Sequence, residues 1–143
     1  MANTPYTTTA PVGVGRFEYL QFQYNLADIA AGDILVDFVV PFAFKVVGIT
    51  ATAVKNASTA AKAATIAVKI DGNAVTGASV ALTTSNMGTL GAVVSATATD
   101  ITANGNNQSA LAGGSKLRLT ASSVTAFVEG IVNLAIVLQS LEA

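Results

Sequence analysis

No histidine and no cysteine occurs among the 143 residues, so the side chains that most often move protons, attack carbonyls or bind zinc are missing. Any catalysis would have to rest on carboxylates, lysines or hydroxyls. Asp28, Asp33 and Asp37 form the closest group of carboxylates. Asp28 and Asp33 bracket a turn, where aspartate is favoured because its side chain bonds nearby backbone. Paired acid–base work needs two carboxyl groups converging in one cleft, and this spacing does not impose that. Asp100, Asn104, Asn106 and Asn107 have the oxygen-rich composition of a calcium loop. The further carboxylates and closing bidentate glutamate of an EF-hand are absent. Gly13 and Gly15 make a lone Gly-x-Gly before a strand, without the following helix that a phosphate cradle needs. The chain is expected to be non-enzymatic, with no cofactor and no metal.

Charge points the same way. Seven basic and eight acidic side chains give a net charge of −1. No basic cluster is available to neutralise phosphates, so nucleic acid is not an expected partner. Charged residues make up 10% of the chain, against about 25% in ordinary soluble domains. They are also unevenly spread, with none in residues 72–99 or 101–115 and none among the first 15 side chains. Such stretches suit a surface that faces another protein, because a free surface is normally dotted with mixed charge.

Mean hydropathy is high, at +0.59, yet no membrane span is expected. The most apolar run, Ala126 to Leu138, is broken by Glu129 and Asn133. It also falls short of the roughly 17–25 residues a helix needs to cross a bilayer. Without cysteine there is no disulfide framework, which suits a cytoplasm. The opening Met-Ala-Asn-Thr-Pro-Tyr has neither the basic nor the apolar region of a secretory signal. Asn56 and Asn107 stand in glycosylation sequons that have no meaning without that route.

The elements that must carry these residues are strands. Residues 1–15 read as an extended arm, since Pro5, Pro11, Gly13, Gly15 and three successive threonines disfavour a helix. The arm is uncharged and carries Tyr6, Val12 and Val14, so it could add to a neighbour's sheet edge. Tyr6, Pro11, Val12 and Val14, with Arg16 at the junction, are the candidate partner-contact residues.

From residue 16 to 143 a single β-sandwich domain is expected. Leu20, Phe22, Tyr24 and Leu26 alternate with Tyr19, Gln21, Gln23 and Asn25, the period-two pattern of a half-buried strand. Ile34, Val36, Phe38 and Val40 should share one face of the next strand, and Phe44 to Val54 continues extended. Asn56 to Ala64 reads as a long loop or one helical turn. Asp71-Gly72 after Thr65–Ile70 is the dipeptide best suited to a tight hairpin, with Val75 to Leu82 returning from it. Ala92 to Thr99 is a further strand, and Asn104 to Asn107 a further turn. Leu117, Leu119 and Ala121 should face inward, followed by Val128, Val132, Leu134, Ile136 and Leu138 of the last strand. Phe17, Phe22, Phe38, Phe42 and Phe44 are expected in the core. About eight short antiparallel strands without a long helix mean an all-β sandwich or jelly roll.

With its strands laid out, the chain resembles the small head decoration (cement) proteins of tailed bacteriophages. The resemblance runs through the uncharged Thr/Pro arm and Val39-Val40-Pro41-Phe42-Ala43-Phe44-Lys45-Val46-Val47-Gly48. It continues through the Ala/Thr/Val-rich strands, the Ile70-Asp71-Gly72-Asn73 hairpin and Leu111-Ala112-Gly113-Gly114. It implies a homotrimer on the capsid exterior, made in the host cytoplasm, that binds the major capsid protein and clamps neighbouring capsomers against DNA pressure. No functional residues carry over, because the family has no diagnostic motif. Similar segments occur in phage tail-fibre and receptor-binding modules, which stay open as an alternative. So does a cell-surface carbohydrate-binding domain, although the chain has no Trp and its loops beyond Phe44 carry no aromatic except Phe127.

Overall fold

The computed structural model describes residues 16–99, 109–110 and 113–141, so the arm, the Asn104–Asn107 turn and the Asp100 loop lie outside the described residues. Among the described residues nine strands follow in order: β1 (Phe17–Asn25), β2 (Gly32–Val40), β3 (Phe44–Lys55), β4 (Ala63–Ile70), β5 (Asn73–Thr83), β6 (Val93–Thr97), the two-residue β7 (Ser109–Ala110), β8 (Ser115–Thr125) and β9 (Ile131–Ser140). A single 3-10 turn, Leu26–Asp28, joins β1 to β2. Residues 56–62 form a loop without a helix.

The first sheet runs β1-β9-β3-β6, with β7 also on β3, and the second runs β2-β8-β4-β5. Leaving the short β7 aside, the first strand pairs with the last and the second with the last but one, while β3 pairs β6 and β4 pairs β5. A long hairpin rolled up on itself produces that order. It is the jelly roll, the eight-stranded form in which two antiparallel sheets pack face to face.

The inner faces form one core. Phe44, Ile49, Leu134 and Ile136 of the first sheet and Ile66, Leu82, Leu117 and Leu119 of the second are fully buried. Each such side chain contributes about 1.5–3 kcal/mol relative to exposure. Asp71 and Gly72 both take positive φ (50° and 85°), the backbone of a two-residue type I′ turn. The Asp71 carboxylate also accepts the Lys116 backbone N–H at 2.9 Å, tying the hairpin tip to β8. On one side of the sandwich, Phe22 of β1 meets Phe38 of β2 edge-to-face with centroids 5.5 Å apart. On the other side the Thr99 N–H donates to the Thr76 carbonyl at 2.8 Å.

Three expectations about facing need correction. Strand β2 carries irregularities between Asp33 and Leu35 and between Leu35 and Phe38. The extra residues shift its phase, so Leu35 packs on the core and Val36 is 60% exposed. Val128 does not belong to the buried face of the last strand; β9 starts only at Ile131, and Val128 is 60% exposed. Phe17 lies outside the core at 56% exposure, on the outward parity of β1, and Phe38 sits at the margin.

Candidate interaction surfaces

The outer faces of the two sheets differ in kind. On the second, Arg118 of β8 stands beside Lys69 of β4. Its guanidinium donates to Asp37 at 2.8 Å and lies 3.4 Å from Asp33. Asp33 in turn accepts the Thr120 hydroxyl at 2.8 Å. Asp37 reaches this position from the irregular part of β2 with φ of 53°. The hydrogen bond from Arg118 holds its carboxyl below the usual carboxylate range. A carboxylate so stabilised is a poor proton donor near neutral pH. Asp37, Asp71, Gly72, Lys116 and Arg118 line an open hollow there. In the hollow two acids (Asp37, Asp71) face two bases (Lys116, Arg118), and Asp33 and Lys69 beside Arg118 keep the balance.

The sequence brought Asp28, Asp33 and Asp37 forward as a group. The structure joins Asp33 and Asp37 through Arg118, whereas Asp28 accepts the Asn25 side-chain amide at 3.3 Å elsewhere. Among the described residues no group of three His, Cys, Asp or Glu is placed to hold a metal ion. Nor, among the described residues, is any helix long and apolar enough to cross a membrane.

The outer face of the first sheet carries no charge over three successive rows. Tyr19, Val137, Gly48 and Thr97 form one row across β1, β9, β3 and β6. Gln21, Ala135, Thr50 and Ser95 form the next, and Gln23, Asn133, Thr52 and Val93 the third. Thr50 and Ser95 share a hydrogen bond of 3.1 Å. Four strands at about 4.8 Å spacing give a platform roughly 15 Å wide. Lys45 and Lys55 stand at its two ends. Tyr19 is 63% exposed and Phe17 lies beside it on the same face.

Strand β1 is also an edge of that sheet. Its hydrogen-bonding direction follows from two bonds at its ends: Ser140 N–H to the Arg16 carbonyl and Leu26 N–H to the Gly130 carbonyl, both 2.9 Å. Even-numbered residues therefore bond to β9. Phe17, Tyr19, Gln21, Gln23 and Asn25 turn their N–H and C=O groups outward. Of the sequence-derived contact residues, Tyr6, Pro11, Val12 and Val14 lie outside the described residues. Arg16 is exposed at the head of β1, its Nε donating to Glu18 at 3.2 Å.

No family model, no curated protein and no solved structure matches the chain.

Proposed function

We propose that this chain is a structural decoration protein of a tailed-phage head, a homotrimer that binds the major capsid protein from outside and clamps neighbouring capsomers. The observation that carries the proposal is the uncharged outer face of the first sheet. A surface with twelve adjoining positions and no charge loses little hydration on docking, and its Gln, Asn, Thr and Ser groups can bond to a partner's polar rim. The opposite sheet instead gathers Asp33, Asp37, Lys69, Asp71, Lys116 and Arg118 on its outer face, where opposite charges balance and keep that face in water. Jelly rolls are common in viral capsid and lectin domains, although the fold does not determine the use. The proposed site of action is the virion exterior, with no nucleic acid, membrane, cofactor or catalysis involved.

The exposed ring of Tyr19 supports a second reading, a receptor- or carbohydrate-binding module of a phage fibre or cell surface, because sugars stack on such rings. One experiment separates the two. Undecorated heads of candidate phages are incubated with the protein and imaged, alongside Ala135→Lys and Ser95→Lys on the uncharged face and Ser79→Lys on the outer face of the second sheet. The first two should bind at least tenfold more weakly than Ser79→Lys, with unchanged circular dichroism. Binding that ignores all three substitutions, or no binding to any head alongside binding to a glycan, would reject the decoration reading.

A further inference from the structure

The residue pattern of β2 favours one register, and its pairing with β8 holds another. Val40, Val39 and Phe38 pair with Ser115, Lys116 and Leu117, Leu35 with Leu119, and Asp33 and Gly32 with Thr120 and Ala121. Each of the two irregularities slips the ladder by one residue, and a one-residue slip turns a side chain to the opposite face. Continuing the pairing of residues 38–40 without a slip would set Asp37 opposite Arg118, Val36 opposite Leu119 and Leu35 opposite Thr120. Ile34 would then meet Ala121, and Asp33 would meet Ser122. In that straight ladder Ile34, Val36, Phe38 and Val40 all face the core, which is the alternation written in the sequence.

The slipped register carries local costs. Asp37 takes φ of 53°, a region that residues other than glycine rarely adopt. Val36 is 60% exposed. Three contacts offset these costs, and all three depend on the slip. Asp33 lies 3.4 Å from the Arg118 guanidinium and accepts the Thr120 hydroxyl at 2.8 Å. The Tyr24 hydroxyl donates to the Ile34 carbonyl at 3.1 Å. The straight ladder would carry Asp33 past Thr120 to Ser122, and so away from Arg118. Asp37 would stay opposite Arg118 in both registers, so that ion pair does not choose between them.

We propose that β2 is a two-register strand, locked in its slipped register by Asp33 and Tyr24. Once the lock is released, residues 32–37 slide along β8. Val36 enters the core, Leu35 takes its place on the surface, and the irregular edge becomes a straight one. Irregular pairing protects the edge of a sheet, whereas a straight edge is open to strand addition. The lock therefore decides whether the β2 edge can be extended. This switch belongs to the fold itself and does not depend on the capsid reading.

The chain has no cysteine, so introduced thiols report the register in the full-length protein. Val36→Cys is labelled with a soluble maleimide, alone and combined with Asp33→Ala or Tyr24→Phe, after circular dichroism has shown each variant folded. Either second substitution should slow labelling at least about threefold, because the rate follows the population that exposes position 36. A Leu35→Cys, Thr120→Cys variant supplies the opposite readout. Its two thiols lie on opposite faces of the sheet in the slipped register and directly across from each other in the straight one. Adding Tyr24→Phe should therefore speed formation of its disulfide. Labelling that ignores both substitutions, or slower labelling without the faster disulfide, would overturn the proposal. So would faster labelling, which would show β2 detaching from β8 instead of sliding along it.

Discussion

Glu129 holds the loop that contains Thr59 by both of its carboxylate oxygens. Oε2 accepts the backbone N–H groups of Ser58 and Thr59 at 2.6 and 2.7 Å, and Oε1 accepts the Thr59 hydroxyl at 2.6 Å. Around it, the Ala57 N–H donates to the Met87 carbonyl at 2.8 Å and the Thr84 hydroxyl to the Thr59 carbonyl at 2.7 Å. Three loops at one end of the jelly roll are joined in this way above the fully buried Met87.

These bonds act on the ionised carboxylate, first through the Thr59 hydroxyl and backbone, and lower the Glu129 pKa from 4.5 to about 2. A lowered folded-state value means stability that is fully present above the unfolded pKa and lost as pH falls toward the folded one. Melting temperature should therefore decline as pH drops from 4.5 to about 2. Glu129→Gln should melt lower than wild type at pH 7 and show a shallower decline through that window. Parallel profiles for the two proteins would mean that the carboxylate does not stabilise the loop.

Phe127 and Val128 are neighbours with opposite fates, one buried at 3% exposure and the other in solvent at 60%. Phe127→Ala should cost about 3–5 kcal/mol in denaturant unfolding. Val128→Thr should stay within about 0.5 kcal/mol of wild type. A large loss from Val128→Thr would place that side chain in an interface or in the core.

Gly77 has φ of +86°, and a Cβ there would lie 2.6 Å from the Thr99 hydroxyl and 2.8 Å from the Thr97 carbonyl. Gly77→Ala should destabilise by at least about 1–3 kcal/mol from backbone strain, with the clash added. Chemical denaturation measures it, and an unchanged midpoint would show that the contact between β5 and the Thr97–Thr99 segment is loose.

Chelation should leave the melting temperature unchanged, since the core is held by apolar packing and hydrogen bonds. A fall of many degrees with EDTA would assign a calcium site to Asp100 and Asn104–Asn107.

Association should instead make melting depend on protein concentration, because a partner that binds only the folded state stabilises it by mass action. A melting temperature that holds constant over a hundredfold dilution would argue for a monomer.

The sequence alone determined the all-β class, most strand positions, the Asp71-Gly72 hairpin and the inward parity of β1, β8 and β9. Each of these depends on a period of two or on a dipeptide's φ preference, both written in adjacent residues. Tertiary structure decided the rest. The phase shift that exposes Val36 comes from the pairing of β2 with β8, which forces extra residues into the ladder. Glu129 finds Thr59 across 70 positions, and Arg118 finds Asp37 across 81. No local pattern marks such partners, because the rolled hairpin that joins first strand to last creates them. The same pairing sets which side of β1 is open.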